Sequence, residues 1–335
     1  MENHLISVLI PFKNTADFLP ECLDSILAQN YQNWEVIAVD DHSTDSSRSI
    51  LDKYSSYDPR FRVYSNDGKG IISALRKAFS LSKGAFLTRM DSDDIMISNK
   101  LEIMVSSLEK YGEGHIAVGG VRYFSERGIS NGYERYEKWL NELTAKGTNY
   151  SEIYKECVIP SPCWMVFRKD LEESGAFNSD RYPEDYDLTF RFYEQGLKCI
   201  PCRNILHLWR DYDWRTSRTS EHYAQNYFLH IKLHYFLKLH HDPTKPLAVW
   251  GAGNKGKSIA KDLKNRNIPF YWLCDNPQKI GKNIYGVEMK HFNHLLHLEM
   301  PQSIVTVANG EAQEMIVNYL SDLNQAAMVD YFFFC

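Results

Sequence analysis

The sequence predicts an α/β protein built on a mostly parallel sheet. Short, nearly continuous apolar runs such as ISVLIPF (residues 6–12) and WEVIAVDD (34–41) read as strands buried on both faces. Segments of helical period alternate with them. Two of the runs end in clustered carboxylates, at Asp40-Asp41 and from Asp91 to Asp94. Ligands of such sheets bind beyond the carboxyl ends of the strands.

The elements follow in order. After the first strand, Phe18, Leu19, Cys22, Leu23, Ile26 and Leu27 repeat at helical spacing from about Ala16 to Gln29. WEVIAVDD is the second strand. STDSSRSILDKYSSY opens with capping residues and continues as a helix. FRVYSN is a third strand, and GIISALRKAFSLSKG is a helix that Gly84 is expected to close. AFLTRMDSDD is the fourth strand. A helix over 99–111 and a strand with a glycine break, HIAVGGVRYFS, come next. Residues 132–156 are charged, aromatic and helix-like. SPCWMVFRKDLEESGAFN leads into a helix that begins near Glu184-Asp185, and residues 220–241 form an aromatic-rich helical segment. The prolines of HDPTKP mark a linker. A fresh strand, glycine loop, helix and strand follow it, so domains are expected over 1–243 and 244–335.

Composition bounds the function. A net charge of -5 excludes a polycation for nucleic acid or membrane surfaces. Seven cysteines without paired spacing suggest free thiols in a reducing compartment. No apolar window reaches the roughly 18 residues of a membrane span, and the N-terminal run does not read as a signal peptide. The expectation is a cytoplasmic protein without stable membrane insertion; its oligomeric state is left open.

Three carboxylates at the end of a buried strand repel one another. DSDD can be a capped helix start. It can equally hold Mn²⁺ or Mg²⁺, which take oxygen ligands from one or two carboxylates and complete their shell with phosphate. A diphosphate leaving group gives such an ion a purpose. Read with SVLIPFKNTADFLPECLDSILAQNYQNWEVIAVDDHSTDSS and YPEDYDLTFRFYEQG, the stretch GAFLTRMDSDDI resembles the family 2 glycosyltransferases, over Ser7 to about Arg210. The resemblance implies the GT-A nucleotide-diphospho-sugar transferase fold and inversion at the anomeric carbon. It implies that Pro11, Phe12 and Asn14 line a nucleotide pocket. Asp41 would accept a hydrogen bond from uracil, with Asp40 supporting its loop. The DXD triplet Asp91-Ser92-Asp93 would sit at the donor, Asp91 on the nucleotide side and Asp93 as metal ligand, while Asp94 is expected to cap the next helix. Asp185 would be the general base and Glu184 would position the acceptor; the plain alternative for this pair is helix capping. Inversion puts base and leaving group on opposite faces of the sugar, which two acidic sites far apart in sequence can satisfy. Trp164 and Arg210 are candidate acceptor or phosphate contacts. Two departures stand out: Arg76 replaces a family Asn, as a diphosphate contact or a solvated helix residue, and Tyr212 stands where many relatives place a histidine.

The second domain opens on GAGNKG. Gly251, Gly253 and Gly256, with Asp275 ending the next strand, match the dinucleotide fingerprint of a small Rossmann-like domain. Only about half of a dinucleotide fold follows, so the loop is either a ligand site or a structural turn. Nine basic and three acidic residues lie between Lys245 and Lys290. They read as a solvated face or as a seat for a phosphate-rich acceptor. ERYEKWLNELT, WGAGNKGKSIAKDL and LCDNPQKIGKNIYG resemble the β-1,3-N-acetylglucosaminyltransferase-like subgroup. That resemblance implies galactose transfer from a UDP-hexose to queuosine in tRNA. A cell-surface or lipid-linked glycan is the second acceptor. The other classes are a nucleotide-sugar-binding module without turnover and an oxidoreductase acting through GAGNKG.

Overall fold

The computed structural model describes residues 4–215 and 228–335. The chain divides into two compact units, Met1–Tyr150 with Cys157–Arg218, and Ser151–Glu156 with Thr219–Cys335.

The first unit is a mixed sheet in the order β3-β2-β1-β4-β7-β6-β8-β5. Strands β1 (Ile6–Phe12), β2 (Trp34–Asp40), β3 (Phe61–Ser65) and β4 (Phe86–Arg89) are parallel, with Phe12 opposite Asp40 and Leu9 opposite Arg89. Every residue of β1 and β2 is buried, which is why these runs lack a polar face. Helices α1 (Leu19–Leu27), α2 (Ser47–Tyr57) and α3 (Ile71–Leu81) make the crossovers. They bury Leu19, Cys22, Leu23 and Ile26, then Leu51, then Ala74, Leu75 and Ala78.

Gly84 does not close α3. The helix ends at Leu81, and a Cβ on Gly84 would come within 2.5 Å of the Ser7 amide nitrogen. The glycine is there to let the chain pass β1 closely.

Beyond β4 the alternation breaks. Strands β5 (Ile95–Met96), β7 (Trp164–Phe167) and β8 (Lys198–Arg210) join the sheet with antiparallel pairings to β8, β4 and β5 respectively. The glycine break of β6 (His115–Phe124) is a bulge: its register against β8 shifts around Gly119 and Gly120. A Cβ at Gly119 would lie 2.8 Å from Cys163 Sγ and Leu206 Cδ1. Helix α4 (Lys100–Tyr111) precedes β6 and α5 (Asn131–Lys146) follows it, the latter capped by Ser130. Helix α6 (Arg168–Glu173) follows β7, and α7 (Glu184–Glu194) begins at the acidic pair.

The second unit carries a six-stranded sheet, β11-β12-β10-β9-β13-β14. Strands β9 (Leu247–Trp250), β10 (Tyr271–Cys274), β12 (Val287–His291), β13 (Gln302–Val305) and β14 (Tyr331–Phe333) are parallel; β11 (Asn283–Ile284) is an antiparallel edge. Helix α8 (Leu229–Leu239) belongs to this unit and starts it before Thr244, because Phe236 packs on Phe332 and Phe334. Residues 220–227 of the expected helix lie outside the described residues. The glycine loop joins β9 to α9 (Asn254–Asn265), and α10 (Gly310–Asp322) precedes β14.

Within the loop the glycines differ. A Cβ on Gly256 would lie 2.1 Å from the Gly251 carbonyl oxygen, whereas one on Gly253 meets open space. Gly256→Ala is therefore expected to destabilise this unit by about 1–3 kcal/mol, the usual cost of overpacking. Gly253→Ala is expected to leave its urea midpoint unchanged. Denaturation followed by the unit's tryptophans Trp250 and Trp272 checks both.

Candidate active site

The site lies where the strand ends meet. The β1 exit loop links the two acidic corners. Asn14, in the left-handed region at φ 51°, accepts the Thr44 amide through Oδ1 at 2.7 Å. Thr15 Oγ1 donates to Ser92 Oγ at 3.0 Å. Asp40 ends β2 and accepts the Ser43 amide at 2.9 Å. Asp41 Oδ1 accepts Asn66 Nδ2 at 2.7 Å and the Gly70 amide at 2.8 Å, and Lys13 approaches Oδ2 at 3.4 Å. Burial alone would raise the Asp41 pKa, but these donors outweigh it and bring it below the ordinary carboxylate value.

Phe12 requires a correction. Its side chain is 2 % exposed and packs in the core with Ile6, Val8 and Ile10, as alternation along β1 dictates. Only its backbone takes part at the strand end, its carbonyl accepting the Asp41 amide at 2.8 Å. Pro11 is buried within β1. Arg76 reaches neither solvent alone nor the acidic corner: it donates to the carbonyls of Phe177 at 3.1 Å and Asn178 at 3.2 Å and pairs with Asp180 at 2.7 Å. It clamps the loop that leads into α7.

The acidic triplet splits into different duties. Asp91 Oδ1 accepts Arg89 Nε at 2.9 Å. Asp93 Oδ2 accepts the Tyr212 hydroxyl at 2.7 Å, and the Asp93 carbonyl accepts Arg210 Nε at 2.7 Å. Arg210 also pairs with Glu21 and lies over the rings of Phe18 and Phe124. It thus holds the acidic loop by its backbone. Asp94 does not cap α4, whose cap position is Asn99. It is fully buried, accepting the Arg210 amide on Oδ1 at 2.8 Å and facing His207 Nε2 from Oδ2 at 2.9 Å. Burial and then Lys100 hold His207 well below its ordinary pKa, and burial pushes Asp94 up, so the two share a hydrogen bond rather than a full ion pair. Burial first, then Asp94 and Asp91, push Asp93 up to about 6.

A metal fits this corner. Burial and neighbouring carboxylates already disfavour the charge of Asp93, and a divalent cation would remove that conflict. Among the described residues Asp91 Oδ2 and Asp93 Oδ1 take no hydrogen bond, whereas both oxygens of Asp94 are used. No cluster of three or more His, Cys, Asp or Glu suits a metal among the described residues, so an ion held by this pair would need a bound phosphate or water to complete its shell.

The Glu184-Asp185 side is joined to this corner by a residue that the sequence reading overlooked. Arg89, 6 % exposed, gives Nε and Nη2 to Asp91 Oδ1 and Nη1 to Glu184 Oε1, the last two at 2.8 Å. A charge inside the run FLTRM was the available signal, since a buried guanidinium demands partners. Burial works against its ionised form, but Asp91 and Glu184 outweigh that and raise its pKa. Glu184 and Asp185 form the first turn of α7, whose cap position is Pro183; the Asp185 side chain satisfies a first-turn amide, as the capping alternative expects. Asp185 Oδ1 accepts the Tyr186 amide at 2.8 Å. Burial first, then Glu184, push Asp185 up to about 7, against the pull of Arg89. Asp185, Glu184, Arg89, Trp164 and Ser161 line one small cavity of about 10 Å³. Trp164 is buried, edge-on to Phe192 at 5.7 Å.

In the second unit, Lys279 Nζ donates to the Ala252 carbonyl at 2.8 Å across the glycine loop, and Asp275 is exposed after β10.

Two carboxylates at a strand end, a second pair at a helix start and an arginine between them form the most acidic buried corner among the described residues of the first unit. The chain belongs to the family described as Glycosyl transferase family 2, whose sequence pattern matches residues 7–175, and it is a glycosyltransferase. It is 29 % identical over 228 residues to glycosyltransferase GlyG of Streptococcus pneumoniae, covering 65 % of this chain and 74 % of that protein. It is 35 % identical over 111 residues to the Escherichia coli UDP-Glc:α-D-GlcNAc-diphosphoundecaprenol β-1,3-glucosyltransferase WfgD, covering 33 % and 43 %. The structure of S. aureus TarS 1–349 in complex with UDP-GlcNAc superposes with a TM-score of 0.52 at 16 % identity, covering 78 % of this chain and 72 % of that one. The fold is that of the GT-A glycosyltransferases.

Proposed function

We propose that the protein is a metal-dependent, inverting glycosyltransferase that moves a hexose from a UDP-sugar to a hydroxyl of a cell-surface or lipid-linked glycan. The observation that carries it is the Arg89 bridge, which sets a carboxylate corner and a raised-pKa carboxylate on either side of one guanidinium. Asp91 and Asp93 would hold Mn²⁺ or Mg²⁺. The ion would supply charge to the leaving diphosphate. Asp41, kept ionised by Asn66 and Gly70, presents Oδ2 to the uracil imide. Asp185 takes the proton of the incoming hydroxyl as its oxygen attacks the anomeric carbon. Glu184, held by Arg89, fixes the start of α7.

The sequence alone favoured queuosine in tRNA, with galactose as the sugar, and set a glycan second. A relative supports the glycan instead: WfgD, by its name, acts on a lipid-linked GlcNAc with UDP-Glc. The basic run over 245–290 keeps tRNA as the second reading. Among the described residues no helix is long and apolar enough to cross a membrane.

The test supplies UDP-galactose, UDP-glucose or UDP-GlcNAc, with Mn²⁺ or EDTA, and either GlcNAc-diphosphoundecaprenol or queuosine-containing tRNA. UDP release with a hexose added to the lipid supports the proposal; a hexose added to tRNA instead replaces the acceptor. Asp93→Asn is expected to lower metal-dependent turnover roughly 100-fold or more. It should also abolish the Mn²⁺-dependent tightening of UDP binding in calorimetry.

A further inference from the structure

The cavity beside Asp185 is lined by a buried hydroxyl that the fold leaves without a hydrogen bond. Ser161 is 7 % exposed, and among the described residues its Oγ has no hydrogen-bond partner. Burying a hydroxyl in this way costs on the order of 1–3 kcal/mol, so native structures rarely keep one without a use for it. Mobility does not account for it. Ser161 sits between Pro160 and Pro162, in a turn closed by the Cys163 amide donating to the Pro160 carbonyl at 2.9 Å. The Pro162 carbonyl is held in turn by the buried Lys100 Nζ, 2.5 Å away, whose other neighbour is the His207 ring that carries Asp94. A chain of buried polar groups thus fixes the Ser161 turn to the same acidic loop that faces the donor.

The cavity itself is informative. Its volume of about 10 Å³ is close to the least that admits one water-sized oxygen. Ile159, Phe177, Leu188 and Phe192 make the rest of its wall apolar. Three of its other polar groups are engaged: Thr189 Oγ1 donates to the Asp185 carbonyl at 2.8 Å, and Arg89 Nη1 donates to Glu184 Oε1. Glu184 uses only Oε1, so its second oxygen, the second oxygen of Asp185 and the Trp164 indole N–H stay available beside the Ser161 hydroxyl, which of these is the one atom both buried and unsatisfied.

We infer that Ser161 seats the acceptor hydroxyl at Asp185, donating its O–H to one lone pair of the acceptor oxygen while that oxygen gives its own proton to Asp185. The second lone pair forms the bond to the anomeric carbon as the bond to the diphosphate oxygen breaks, and UDP leaves with that electron pair. This rests on the reading of Asp185 as the base. It adds a residue that binds the acceptor without binding the donor.

The experiment compares the full chain with Ser161→Ala and Asp185→Asn, using the UDP-sugar that turns over in the assay above. UDP release is measured with GlcNAc-diphosphoundecaprenol and with water as the only acceptor. Ser161→Ala is expected to lower kcat roughly 10- to 100-fold with either acceptor. The KM for the UDP-sugar should stay within about twofold, because the lost contact is not to the donor. Its Tm should not fall, since the variant removes an unsatisfied buried hydroxyl; a merely structural serine would lower Tm. An unchanged kcat, or a raised donor KM at constant kcat, overturns the inference while Asp185→Asn remains inactive. Full activity in Asp185→Asn overturns the reading beneath it.

Discussion

Asp185→Asn is expected to reduce sugar transfer by about 10²–10⁴-fold while UDP-sugar binding persists. The amide keeps the size of the side chain and removes the one group poised to accept a proton. Its environment also fixes the pH dependence. Asp185 is pushed up to about 7 by burial and by Glu184, so the free enzyme carries it protonated in acid. Only the ionised form is a base. kcat/KM should therefore rise with pH, fall about tenfold per unit well below pH 7 and level off above it. A flat profile between pH 5.5 and 8.5 would mean that another group takes the proton. The same physics predicts a gain in stability. A carboxylate whose folded pKa lies above its unfolded value opposes folding once pH exceeds the unfolded value. Removing it should raise Tm at pH 8 by about 2–4 °C for each kcal/mol of relief. An inactive variant more stable than the parent is the signature of strain kept for function.

Much of the first unit was legible because its early half obeys a local rule. Apolar runs with no polar face gave β1, β2 and β4, and helical spacing gave α1 to α4. The later strands were not legible in the same way. β8 runs through Lys198, Pro201, Arg203 and Asn204, and its place depends on β6 and β5 rather than on its own pattern. The acidic residues announced themselves by clustering, but their partners did not. Arg89 and Glu184 are 95 residues apart, and Asp94 and His207 are 113 apart. No spacing rule reaches that far. The resemblance placed Phe12 at a nucleotide pocket, but β1 is buried on both faces and the Phe12 side chain packs in the core on the same side as Ile10. Asp94 looked like a helix cap because local rules favour aspartate there; a histidine on a distant strand claimed it instead. Ser161 gave no sequence signal at all, since an unsatisfied hydroxyl is visible only once its surroundings are known.

Arg89 carries the largest expected effect outside Asp185. Arg89→Met leaves the buried Glu184 and the partly buried Asp91 without their shared cation, and breaking such a buried pairing costs about 3–5 kcal/mol. The variant should unfold at clearly lower urea and lose activity. Loss of folding alone would not separate structure from catalysis, so the conservative variant decides. Arg89→Lys keeps the charge but has no planar fork to reach both carboxylates at once. It should fold, with turnover lowered about 100-fold, as expected when the base and the donor corner lose their fixed spacing. Its pH profile should also move. Arg89 holds the Asp185 pKa down; a looser cation gives that up, so the acid limb should shift to higher pH. The double variant Arg89→Met with Glu184→Gln isolates the pair. Removing the orphaned charge should restore much of the stability lost in Arg89→Met, a coupling that a double-mutant cycle reads directly. It should restore little activity, because Asp91 still lacks its anchor and α7 its tether. If the double variant recovered both, the arginine would serve only the fold. If it recovered stability alone, the bridge is what sets the donor corner and the base at their working separation.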